Sequence, residues 1–173
     1  MKNLLVVVDM QNDFIDGSLG TKEAVAIVDN VIAEIAKYDT KDIFATRDTH
    51  PENYLETQEG KNLPVVHCVK GTDGWEINVK VKEALKDAVV IDKPTFGSKI
   101  LAEEIAKIAE KEDITVTLIG LCTDICVVSN ALLIQAYLPE VPVKVIASCC
   151  AGVTPESHEA ALTTMRMCQV QVE

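Results

Sequence analysis

The sequence predicts a doubly wound α/β fold on three observations. Short runs rich in Val and Ile recur from one end of the chain to the other, stretches with helical spacing lie between them, and the runs are apolar on both faces. Alternation of that kind argues for a parallel sheet covered by helices on its two sides.

Taken in order, the strand candidates are residues 4–8, 43–45, 88–91, 114–119, 143–147 and 170–172. The helix candidates between them are residues 24–37, 77–85, 100–111, 125–137 and 156–167, each with apolar positions three or four apart. Residues 48–75 lack such periodicity and carry Pro51, Gly60, Pro64, Gly71 and Gly74, so they are expected to form a long loop. A loop of that length in a compact domain is usually functional.

With 173 residues, 48% of them hydrophobic, the chain is expected to form a single domain spanning residues 1–173 around one sizeable core. Its net charge of −11 repels phosphate backbones and anionic lipid surfaces, which argues against nucleic acid as a partner. The apolar run at residues 4–8 is too short for a signal peptide, and no run approaches the roughly 18 residues of a membrane span. A soluble, cytoplasmic protein with no membrane partner is expected. Six cysteines in such a chain read as free thiols; Cys149 and Cys150 point to opposite faces if extended. No phosphate-cradling glycine motif occurs, so nucleotide binding through one has no support.

Ligands of open α/β sheets bind beyond the carboxyl ends of the strands. Four strand candidates deliver polar or reactive residues there: Asp9 after the first, Asp48 and His50 after the second, Lys93 after the third and Cys126 beyond the fourth. Any one of them reads as an ordinary strand end, but their convergence on one edge points to chemistry. Thr123 and Asp124 are good helix N-caps, placing Cys126 in a first turn, where the helix terminus favours a thiolate. Lys93 would lower the thiol pKa further, and Asp9 could take its proton and return it to a leaving group. Together they form a working set for acyl transfer.

Asp48 and His50 project from the same side of an extended segment. With His67 they make a three-ligand set with open positions, suited to Zn²⁺ or Fe²⁺, and Glu59 offers a further oxygen. His158, near a helix start, is expected to serve local structure only.

Four stretches together resemble the nicotinamidase branch of the isochorismatase-like cysteine hydrolases: residues 7–14 (VVDMQNDF), 46–51 (TRDTHP), His67-Cys68 followed by 71–74 (GTDG), and 120–127 (GLCTDICV). The resemblance spans nearly the whole chain. It implies a three-layer α/β/α, Rossmann-like architecture with a six-stranded parallel sheet, and Asp9, Lys93 and Cys126 as a catalytic triad. It further implies a cis peptide at Leu121-Cys122, an oxyanion hole formed by the backbone N–H groups of Cys122 and Cys126, and a divalent metal held by Asp48, His50 and His67, with Glu59 added in some members. Zinc is the first expectation, iron or manganese the next. The implied reaction is hydrolysis of a small amide, nicotinamide to nicotinate and ammonia, through a thioester on Cys126. Isochorismatase itself lacks the cysteine nucleophile, so Cys126 argues against that activity.

The chain departs from the nicotinamidase pattern at Pro64, where a tryptophan often precedes the third metal ligand. Phe14 remains as one wall for an aromatic substrate, and Trp75 is a candidate for another. Two other readings stay open: a metal-independent amidohydrolase of the same superfamily acting on a carbamoyl or ureido compound, and a non-catalytic α/β binding domain. A homo-oligomer is compatible with the family; residues 131–138 are apolar enough to be core or contact.

Overall fold

The computed structural model describes residues 1–173. In chain order the elements are β1 (Lys2–Val8), α1 (Asn12–Ile15), α2 (Lys22–Ile35), β2 (Ile43–Asp48), α3 (Gln58–Asn62), α4 (Val79–Leu85), β3 (Val89–Lys93), α5 (Lys99–Ala109), β4 (Ile114–Leu121), α6 (Val128–Tyr137), β5 (Val143–Ala151), α7 (Pro155–Met167) and β6 (Gln171–Val172). The six strands form one sheet in the order β3-β2-β1-β4-β5-β6, and every neighbouring pair is parallel. The expected three-layer architecture is therefore the one observed.

The central strand shows why both faces had to be apolar. Leu4, Val6 and Val8 point into one buried cluster with residues of α5, α6 and α7, while Leu5 and Val7 point into a second with residues of α1, α2 and α4. Cys150 belongs to the first cluster and Cys149 to the second, on opposite faces of β5 as an extended chain requires. All six cysteines are free thiols. Helix starts follow local chemistry: Thr21, Ser98 and Thr154 each accept a hydrogen bond from a backbone N–H in the first turn, and in α7, with Pro155 at its first position, the Ser157 hydroxyl reciprocally accepts the Thr154 N–H.

Three boundaries differ from the sequence reading. The long segment after β2 is not bare loop but holds α3 and short 3₁₀ turns, with Thr57 capping α3. Strand β5 runs on to Ala151 with a register shift against β4 between Leu118 and Gly120. The turn carrying Cys126 is a π-helical turn, Thr123–Val127, that leads into α6. Thr123 and Asp124 do not cap it: the Thr123 hydroxyl pairs with His158 Nδ1 at 2.7 Å, and Asp124 accepts from the Val153 N–H. Both side chains were claimed by α7 and its preceding loop.

Gly120 sits where β4 meets β1 at its carboxyl end, with φ of +117°. A Cβ there would lie 2.1 Å from the Val8 carbonyl oxygen, so only glycine permits the approach.

Candidate active site

Four adjacent strands, β3, β2, β1 and β4, present their carboxyl ends side by side. Lys93 is the last residue of β3 and stands in register with Asp48, the last of β2. Asp9 follows β1 in the left-handed region, φ 47°, with its N–H bonded back to Thr46. Cys126 comes five residues past the end of β4, after a cis peptide at Leu121-Cys122. Residues distant in sequence thus meet because their strands are neighbours.

The distances are short. Lys93 Nζ lies 2.7 Å from Asp9 Oδ2, 3.3 Å from Cys126 Sγ and 3.5 Å from Asp48 Oδ1. It also donates to the Thr95 carbonyl at 3.2 Å. Asp9 Oδ1 accepts the Thr46 hydroxyl at 2.6 Å, and Oδ2 accepts from the Lys93 ammonium at 2.7 Å. Asp9 is wholly buried, Lys93 1% exposed and Cys126 4% exposed, so these charges interact with little water between them.

Burial sets the proton affinities. It pushes the Asp9 carboxyl above its ordinary value despite the opposing pull of Lys93. For Lys93 burial acts downward, but the charges of Asp9 and Asp48 prevail and hold the ammonium firmly protonated. The Cys126 thiol is held well above its ordinary value, by burial first and the Asp9 charge next; Lys93 offsets only part of this. The expectation of a lowered thiol pKa is not met, because desolvation of the sulfur and a facing carboxylate outweigh one ammonium.

Beside this group lies a second. One donor atom each from Asp48, His50, Glu59 and His67 falls within 4.8 Å of all the others. His50 Nε2 is 2.9 Å from Asp48 Oδ2 and 3.6 Å from Glu59 Oε1, while His67 Nε2 is 3.6 Å and 3.8 Å from the same two oxygens. The neighbourhood is built from backbone pairing: the His50 N–H donates to the Cys68 carbonyl and Lys70 N–H to the His50 carbonyl, aligning the two histidine segments. His67 Nδ1 lies 2.7 Å from the Val65 carbonyl, which places a proton on Nδ1 and turns Nε2 into the group. Two imidazole nitrogens and two carboxylates, converging and mostly buried, fit a divalent ion of the zinc, iron or manganese kind. Burial raises Asp48, but its bonds to His50 and His67 and the Lys93 charge hold it well below the carboxylate range.

Both groups open into one cavity of about 660 Å³, lined by Asp48, Glu59, His67, Cys122 and Cys126 among mostly apolar residues. Phe14 forms part of its wall, with its ring centroid 5.6 Å from that of His67. Trp75 does not: its indole N–H donates to Thr49 Oγ1, and the Arg47 guanidinium stacks on its ring at 3.7 Å. A neighbouring cation had a stronger claim on that ring than the cavity did.

The sequence reading missed several residues. Tyr54, fully buried, packs its ring 4.7 Å from His50 and 4.9 Å from His67 and donates its hydroxyl to the Leu63 carbonyl. An aromatic within the mostly polar stretch 48–62 was the available signal. Phe96 lines the cavity from the segment after Lys93. Gln11 donates from Nε2 to the Asp48 and Trp75 carbonyls and accepts the Asp48 N–H, fixing the Asp48 backbone. His158 serves local structure as expected, but the structure it serves is the turn of Cys126.

A parallel α/β sheet whose strand ends carry a thiol, a carboxylate and an ammonium beside a four-donor group is the architecture of a hydrolytic enzyme. An isochorismatase domain is matched over residues 3–173, and the chain belongs to that family. Within it, the chain is 26% identical to the nicotinamidase/pyrazinamidase of Mycobacterium tuberculosis, over 97% of this chain and 96% of that one. The structure matches that of the pyrazinamidase of Pyrococcus horikoshii in complex with zinc with a TM-score of 0.84 and 30% identity, covering 100% of this chain and 99% of that one. It also matches the N-carbamoylsarcosine amidase of Thermoplasma acidophilum with a TM-score of 0.76 and 27% identity, over 100% and 96% of the two chains. The chain is accordingly a hydrolase acting on amide bonds, an amidohydrolase of this superfamily with a small-molecule substrate. No helix is long and apolar enough to cross a membrane.

Proposed function

We propose that this protein hydrolyses nicotinamide to nicotinate and ammonia, with Cys126 as nucleophile, Asp9 as proton carrier and Lys93 as the fixed cation between them. The observation that carries the reading is the meeting of both residue groups at one cavity. Because the thiol is held protonated, the proton must leave as the sulfur attacks. Asp9, whose carboxylate faces both the thiol and the Lys93 ammonium, is the acceptor. The S–C bond forms at the carboxamide carbon, and the N–H groups of Cys122 and Cys126 receive the developing oxyanion. Asp9 then returns the proton to nitrogen as the C–N bond breaks, ammonia departs, and a thioester remains. Water, losing a proton to Asp9, attacks that thioester; the acid leaves and the thiol is restored.

Phe14 gives the substrate ring an apolar face. Asp48, His50, His67 and Glu59 would hold a divalent ion, zinc first, supplying an anchor for the pyridine nitrogen. Placement in pyridine-nucleotide salvage within the cytoplasm, and assembly as a homo-oligomer, belong to the same reading.

The test is ammonia release over nicotinamide, pyrazinamide and ureido compounds, with and without added Zn²⁺, Mn²⁺ or Fe²⁺, for wild type and Cys126→Ala. Nicotinamide turnover by wild type alone, with an acylated Cys126 trapped by mass spectrometry, is expected; Cys126→Ala working at the wild-type rate would rule the mechanism out. A second reading, a metal-independent amidase for a carbamoyl compound, is favoured by the likeness to the N-carbamoylsarcosine amidase. Turnover of ureido compounds but not nicotinamide, by protein purified without chelator and free of metal, would select it.

A further inference from the structure

Asn130 is a fully buried polar side chain that neither reactive group employs. It stands on α6, four residues beyond Cys126. Its Nδ2 donates to the Cys126 carbonyl at 2.8 Å and to the Phe96 carbonyl at 3.0 Å, and its Oδ1 accepts the Ser98 N–H at 2.9 Å. One amide therefore touches the nucleophile's own backbone, a cavity-wall residue and the cap of α5.

The pattern it answers is two carbonyls and one N–H. Only a carboxamide offers two donors and one acceptor in a single planar group; a carboxylate would face both carbonyls with oxygen, and an apolar side chain would leave three buried backbone groups unpaired. Residues 93–98 are tied down at two points. Lys93 Nζ holds the Thr95 carbonyl on the side of the thiol, and Asn130 holds Phe96 and Ser98 on the far side. At Gly97 the segment comes so close to α6 that a Cβ would lie 3.2 Å from the Ser129 carbonyl oxygen. Pro94, Thr95 and Phe96 all line the cavity.

We propose that Asn130 is a positioning residue that sets the Phe96 wall against the Cys126 sulfur, so that substrate fit and the geometry of attack are adjusted together. This rests on Cys126 being the nucleophile. An error in reacting geometry of about 1 Å costs on the order of 100-fold in rate, which is the effect expected of losing the amide.

The test is steady-state kinetics on nicotinamide, with site-resolved alkylation of Cys126 by iodoacetamide in substrate-free protein, well below the unfolding midpoint of each variant. Asn130→Ala is expected to lose about 100-fold in kcat/KM, with kcat lowered and KM raised, and to change the Cys126 alkylation rate by about threefold or more. Asn130→Ser separates the two halves. A serine hydroxyl can bond the carbonyl four residues earlier, that of Cys126, but cannot span to residues 96–98. It should return kcat and the alkylation rate toward wild type while KM stays raised. A lower unfolding midpoint in Asn130→Ala, with kcat, KM and alkylation unchanged, overturns the proposal. If Asn130→Ala fails to fold, a wild-type KM in Asn130→Ser overturns it. If wild type hydrolyses no amide, the functional reading falls separately, and the alkylation rates alone decide the role of Asn130.

Discussion

The two ends of the sheet use the same ion-pair chemistry under opposite conditions. At the carboxyl end Lys93 faces Asp9 and Asp48, with all three side chains 3% exposed or less. At the amino end Lys2 faces Asp42 at 3.1 Å and Glu112 at 3.4 Å, with side chains 15% to 49% exposed. The distances are alike; the water is not. Water around Lys2 and Glu112 weakens the amino-end pairs, whereas desolvation at the other end makes each charge depend on its partner. The candidate reactive groups lie where the charges are dry.

The sharpest way to break this contrast is Lys93→Met. It leaves the Asp9 carboxylate buried without a counter-ion, and a loss of about 3–5 kcal/mol in stability is expected together with loss of ammonia release. Denaturant unfolding beside an activity assay checks both; unchanged stability would show that Asp9 takes up a proton at little cost. Next in size, His67→Ala removes a donor from the four-residue group. Zinc content measured by atomic emission should fall at least about 10-fold, and retention of one ion per chain would place the metal elsewhere.

A subtler effect is the pH dependence of Cys126. Because the folded-state thiol is raised above its ordinary value of 9.0, its alkylation should keep climbing through pH 9 without a plateau. Linkage gives the matching sign: a raised acid favours the fold while protonated, so the thiol's contribution is complete below the unfolded pKa and lost as pH climbs toward the folded one. The unfolding midpoint should fall in alkaline solution, less so in Cys126→Ala. A plateau in alkylation below pH 9 would refute the raised thiol. Smallest of all, Lys2→Ala should leave the unfolding midpoint within measurement error; a clear drop would dissolve the contrast between the two ends.

The strand tips were legible because each combined a run apolar on both faces with an abrupt polar residue, as at Val8-Asp9 and Ile91-Asp92-Lys93. Parallel neighbours then had to bring those tips together. What could not be read was who else wanted the same groups. Thr123 has the composition of a cap but is taken by His158, and Trp75 has that of a substrate wall but is taken by Arg47. The thiol pKa failed for a related reason: helix ends and lysines are visible in a sequence, whereas the depth of a sulfur is set by tertiary packing. Asn130 gave no warning, since its partners lie at positions 96, 98 and 126.

Gly120 acts as a shim of zero thickness between the strand that ends at the acid and the strand that leads into the turn of the thiol. A single added methyl would wedge β1 and β4 apart at their tips and widen the space between the Asp9 carboxyl and the Cys126 turn. The tolerance of this site is thus governed by an atom the chain omits, and random substitution at position 120 should silence the protein as thoroughly as any change to the reactive groups themselves.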